Sequence, residues 1–133
     1  MKAKDLMIGD YLRTRFSKKI IRVKEIKQSC IYTEDNGYEY NEIEPIPLTT
    51  EILEKNGFGK YPFHNIKGQH QWSWWLNMST CVSLWYRELN DDPKDGMMVR
   101  VDAPLVNICI RVDYLHQLQH AIKLCGIEKE IEL

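Results

Sequence analysis

The sequence predicts an α+β fold: a small N-terminal SH3-like β-barrel followed by an antiparallel sheet covered by one C-terminal helix. Three observations carry this. Short alternating runs broken by turn residues fill positions 1–48. The proline-punctuated stretch Glu44-Pro45-Ile46-Pro47-Leu48 closes them. A single stripe at helical spacing, Leu115, Leu118, Ile122 and Cys125, stands near the end. With 133 residues, 44% of them apolar, and four Trp, seven Tyr and three Phe, the chain can pack one domain or two small lobes, and a third has no room. The expected division is a barrel lobe over 1–48, a linker helix over 49–58 and a sheet-plus-helix lobe over 59–133.

In the first lobe, Asp5 to Leu12 reads as an apolar anchor and a Gly9-Asp10 turn feeding a strand that runs to Arg15, with Ser17-Lys18 as the next turn. From Lys19 to Gln28, Ile21 and Val23 share one face and Arg22 and Lys24 the other. Ile26 falls out of step, so a bulge is expected near Lys24-Glu25. Cys30 to Thr33 is a further strand, Asp35-Asn36-Gly37 carries the Asn-Gly hairpin signal, and Tyr38 to Ile43 alternates again. Such short strands hide their edges by curling closed, which is the reason for expecting a barrel.

Neither proline of Glu44 to Leu48 donates an N–H, so this stretch reads as the linker. Thr49 or Thr50 caps a short helix, Glu51 to Asn56, and Gly57 supplies its left-handed stop. Gly59 to Gly68 is rich in turn residues. Gln71 to Met78 and Cys81 to Leu89, dense in aromatic and β-branched residues, form a hairpin about Ser79-Thr80. Met97 to Val101 and Val106 to Val112 are further strands, with Pro104 between them. Asp113 caps a helix from Tyr114 to Cys125, and Gly126 ends it. Ile127, Lys129, Ile131 and Leu133 then alternate with glutamates as a last strand.

Composition and motifs exclude several function classes. No apolar stretch approaches the roughly 20 residues of a membrane-spanning helix. The N-terminus meets Asp5 and Asp10 before any apolar signal region, so the expectation is a cytoplasmic protein. Cys30, Cys81, Cys109 and Cys125 show no CxxC spacing and read as reduced core thiols, with no cofactor implied. GxSxG, GxxxxGK[ST] and GxGxxG are all missing, which points away from catalysis and leaves an enzyme with a dispersed site as an alternative.

Two constellations resemble metal sites and are read as something plainer. His116 and His120 share a helix face with Asp113 one turn earlier. However, Gln117-Leu118-Gln119 supplies no catalytic Glu, and further ligands would have to come from distant His64, His70 or a cysteine. Asp91, Asp95, Gly96 and Asp102 fall at EF-hand positions, yet Pro93 takes a ligand place and no helices flank the loop. A polar helix flank and a solvated turn are expected, with no metal.

Two surfaces are candidates for binding. Net charge is −1, but from Met1 to Ser29 nine Lys or Arg face three acids, whereas Glu34 to Glu54 holds seven acids and no base. Arg13, Arg15, Arg22 and Lys24 on the barrel strands form the candidate nucleic-acid face. The neighbouring acids argue against it, because they would cancel much of the field that phosphates need. In the aromatic hairpin, strand alternation sets Trp75 and Trp85 among Ser73, Asn77, Ser83 and Arg87, so Trp75, Trp85 and Arg87 are the candidate protein-binding surface.

The segments Asp5-Leu6-Met7-Ile8-Gly9-Asp10-Tyr11, Glu44-Pro45-Ile46-Pro47-Leu48-Thr49 with Glu51 to Phe58, and Tyr114-Leu115-His116-Gln117-Leu118-Gln119-His120-Ala121 together carry a resemblance. The chain resembles a family of small uncharacterised proteins encoded in gut-bacterial genomes and their phages or prophages. The likeness covers both ends and the linker and is weakest between Gly59 and Pro104. It implies a mobile-element setting, in which small binding proteins are common, and no catalytic residues. The functional expectation is a non-enzymatic interaction protein whose partner is another protein, with nucleic-acid binding as the rival.

Overall fold

The computed structural model describes the backbone of residues 1–64, 70–76, 83–88, 97–103, 106–124 and 126–133, and the side chains of 1–59, 76, 111–124 and 126–133. It is an α+β chain of two compact units, Met1–Pro47 with Tyr114–His120, and Leu48–Asp113 with Ala121–Leu133.

In the first unit, β1 (Tyr11–Thr14) is the middle strand of an antiparallel sheet with β2 (Ile20–Arg22) and β6 (Ile43–Pro45) at its sides. A second antiparallel sheet orders β3 (Glu25–Ile26), β4 (Cys30–Tyr32) and β5 (Gly37–Glu39). The ladders thus form two sheets, and no closed barrel is found among the described residues. In place of the expected bulge near Lys24-Glu25, the chain changes sheet: Val23 N–H donates to Asp10 O at 2.9 Å, in the first sheet, and Lys24 N–H to Tyr32 O at 2.8 Å, in the second. Strands that switch sheets make the corners of such folds. Both sheets bury their apolar parity in one core, in which Leu6, Leu12, Ile21, Val23, Ile31 and Ile43 pack with Ile26, Tyr38 and Tyr40. Each fully buried Leu or Ile there contributes roughly 1.5–3 kcal/mol.

Two local expectations are corrected. Pro45 is not linker: it pairs with Leu12 in β6, an outer strand, where a residue without an N–H is tolerated. The hairpin after β4 turns at Glu34-Asp35, because Thr33 N–H donates to Asn36 O at 2.8 Å. Gly37 serves another purpose, since a Cβ there would lie 3.0 Å from the Tyr32 ring.

The second unit begins with α1 (Thr50–Lys55), whose Thr49 hydroxyl accepts from Ile52 N–H and whose end is turned by Gly57 at φ +83°. Its five-stranded antiparallel sheet runs in meander order: β7 (Gly59–His64), β8 (His70–Leu76), β9 (Ser83–Glu88), β10 (Met97–Ala103) and β11 (Val106–Arg111). The expected turn-rich stretch from Gly59 is therefore partly a strand, and as the outermost one it accommodates Pro62. The expected last strand does not form. Ile127 and Ile131 are buried as the alternation requires, but the backbone of Glu132 is held by the Asn56 amide, donating to Asn56 Oδ1 and accepting from Asn56 Nδ2, both at 2.8 Å. A side-chain amide at a helix end has taken the place of a ladder.

Helix α2 (Leu115–Leu124) buries Leu115, Leu118, Ala121 and Ile122, and Gly126 follows at φ +72°. Its residues through His120 group with the first unit and those from Ala121 with the second.

Candidate functional site

The first unit carries two polar assemblies of opposite character. One is buried. The turn Met7 to Asp10 is closed by Asp10 N–H to Met7 O at 3.2 Å, with Gly9 at φ +97°. Asp10 is 2% exposed, and its carboxylate accepts from Met7 N–H at 2.7 Å and bonds His120 Nε2 at 2.8 and 2.9 Å. Gln119 completes the fastening: its Oε1 accepts from Tyr11 N–H at 2.9 Å, and its Nε2 donates to Gly9 O at 3.1 Å.

His116 lies beside this clasp, its ring edge-on to His120 at 5.7 Å and stacked on Tyr114 at 6.0 Å. It is 5% exposed, and its Nδ1 is buried without a hydrogen-bond partner. Burial pushes the His116 imidazole below its usual range, opposed in part by the Asp10 carboxylate and reinforced by His120. The two helix histidines thus act as a carboxylate partner and a stacking ring. Asp113, one turn earlier in the sequence, bonds Arg111 Nε at 3.1 Å. Among the described residues no group of three His, Cys, Asp or Glu is placed to share a metal. Asp91, Asp95 and Gly96, and the side chains of His64, His70 and Asp102, lie outside the described residues.

The second assembly is the outer rim of β1 and β2. Thr14 N–H donates to Lys19 O, the Thr14 and Ser17 hydroxyls meet at 2.6 Å, and Lys18 sits at φ +56°. This locked hairpin tip holds Phe16 out at 89% exposure, and Ile20 follows at 50%. Glu44, directly opposite Arg13 in the ladder, takes both Arg13 Nε and Lys18 Nζ. The Lys18 bond, with Arg13 beside it, holds the Glu44 carboxyl below its usual range.

Arg22 lies over the Tyr11 ring at 5.3 Å. Next to it is a groove of about 230 Å³ lined on one side by Lys19, Ile20, Arg22 and Lys24 and on the other by Glu34 and Asp35. The structure therefore separates the candidate basic residues. Arg13 is paired, Arg15 is exposed, and Arg22 and Lys24 line a groove whose other wall is acidic.

On the second unit the register sets Trp75 directly against Trp85 across β8 and β9, and Arg87 against Ser73. The side chains of Trp75, Trp85 and Arg87 lie outside the described residues.

No protein-family model, curated protein or solved structure matches the chain. Sequence reasoning missed Phe16 and Ile20. Parity held the signal for Ile20, since Ile21 and Val23 on the inner face leave Ile20 on the outer one.

Proposed function

We propose that the chain is a non-enzymatic protein-interaction module and that the outer rim of β1 and β2 is its binding surface. The observation that carries this is Phe16, an aromatic side chain 89% exposed on a hydrogen-bonded hairpin tip, beside the half-exposed Ile20. A rigidly presented aromatic with an apolar neighbour and a polar surround has the composition of an interface anchor. The charge pattern supports a protein over a nucleic acid. Glu44 answers Arg13 and Lys18, and Glu34 and Asp35 line the same groove as Lys19, Arg22 and Lys24, so the described residues of this rim offer no continuous positive track to a phosphate backbone.

The same proposal takes the first unit as a variant of the SH3-like barrel, on the strength of its shared core and the sheet switch at Val23-Lys24. It places the protein in the cytoplasm and, through the family resemblance, in a mobile-element setting. No helix among the described residues is long and apolar enough to cross a membrane. On the second unit, the Trp75–Trp85 register supports a further aromatic surface with Arg87. Melts of Trp75→Ala and Trp85→Ala against Trp72→Ala and Trp74→Ala test it: a core Trp loses about 3–5 kcal/mol and a surface anchor far less.

Photo-cross-linking from position 16 in cells expressing the chain tests the main reading. The expected result is one stoichiometric protein adduct that Ile20→Ser abolishes. Adducts to nucleic acid alone, or none above an unrelated surface position, would overturn it.

A further inference from the structure

Among the described residues β2 is an outer strand of its sheet. Two bonds fix its hydrogen-bonding parity: Thr14 N–H donates to Lys19 O, and Val23 N–H donates to Asp10 O, each at 2.9 Å. Antiparallel partners alternate between exchanging both bonds and turning theirs away. Lys19, Ile21 and Val23 therefore face β1, and the backbone of Ile20 faces the opposite side. The mixed-charge groove lies along this strand, walled by Lys19, Ile20 and Lys24 on one side and Glu34 and Asp35 on the other. The Lys24 N–H to Tyr32 O bond ties β2's continuation to β4 at one end.

The other edges of this unit are blunted. β6 carries Pro45, β3 is two residues long, and in β5 the Glu39 N–H is taken by the Glu42 carboxylate at 2.8 Å. At about 230 Å³ the groove is also smaller than the roughly 300–1,000 Å³ of small-molecule sites.

Charge selects the occupant. A second copy pairing edge to edge would bring Lys19, Arg22 and Lys24 against their own kind, which antiparallel pairing disfavours. The acids across the groove repel a polyanion charged at every unit, but not a strand that turns its carboxylates to one side.

We propose that the first unit binds an extended segment of another protein by strand addition at the outer edge of β2. The segment alternates apolar and acidic residues, so that apolar side chains cover Ile20 on one face and a carboxylate on the other face meets Lys19. This rests on the reading of the rim as an interaction surface and names what that surface takes. In strand addition the main chain supplies affinity and alternate side chains supply specificity.

The test is selection of a random heptapeptide library against the intact protein, followed by titration with the synthetic winner. The proposal expects enrichment of alternating apolar and acidic sequences. It also expects hydrogen exchange at the Ile20 amide to slow by at least about tenfold at saturation. Ile20→Pro, which an outer strand tolerates where the N–H points away from the ladder, should weaken binding by about tenfold or more. Lys19→Glu should shift the preference toward lysine-bearing peptides, and it carries the test should the proline variant fail to fold. No enrichment, enrichment without alternation, or unchanged Ile20 exchange at saturation overturns the proposal. Capture from position 16 that survives Ile20→Pro would leave the interaction surface standing and remove strand addition, whereas loss of all capture in the parent chain removes the surface itself.

Discussion

The buried clasp around Asp10 and the outer rim around Glu44 use the same chemistry, a carboxylate between donors, and do opposite work. Asp10 is sequestered, and each of its bonds is to a backbone or ring held in place by the fold. Glu44 joins two flexible cations at the surface, where water competes for all three groups. The comparison teaches that burial, and not the presence of an ion pair, decides whether polar residues hold the unit together or remain available to a partner.

The largest expected effect breaks the clasp. Asp10→Ala leaves Met7 N–H and His120 Nε2 without their acceptor. Removing one member of a buried pair costs about 3–5 kcal/mol, and the partial exposure of His120 places this loss at about 3 kcal/mol. Urea denaturation checks it, and a loss no larger than that of a surface variant would erase the contrast.

A smaller effect sharpens the contrast through pH. Because burial lowers the His116 pKa from 6.5, the unfolded chain takes up a proton before the folded one as pH falls. Below pH 6.5 stability from this residue therefore declines, until pH passes the lowered folded value; above pH 6.5 it is unaffected. His116→Phe, which keeps a ring against Tyr114, should make stability less sensitive to acid than in the parent. Denaturation midpoints of both proteins between about pH 5 and pH 8 test this, and parallel curves would contradict it.

On the rim the expected changes in stability are the smallest. Glu44→Gln removes the acceptor of Arg13 and Lys18, yet the unfolding midpoint should shift far less than with Asp10→Ala, and any shift should vanish in high salt. Gly37→Ala should displace the Tyr32 ring, a surface group, with a modest loss readable in the tyrosine resonances by NMR.

Much of this architecture is written in local pattern. Alternation gives β1, β4 and the aromatic hairpin, Thr49 and Gly57 bracket α1, and the out-of-step Ile26 marks the corner where the chain changes sheets. What alternation cannot give is which backbone satisfies a strand-like segment: residues 127–133 keep the parity of a strand but are held by Asn56. The clasp was equally hidden, since Asp10 and His120 stand 110 residues apart and each has a sufficient local reading, as a turn residue and as a helix flank. The rim was half legible. Its charges were plain, but their pairing depends on Arg13 falling opposite Glu44, which needs the β1–β6 register.

The most direct test of the rim as a recognition surface measures folding and capture on the same protein. Phe16→Ser should leave the urea midpoint at the parent value and abolish the adduct formed from a cross-linker at position 20. A midpoint that falls toward that of Asp10→Ala, or an adduct that persists in full, would contradict the account.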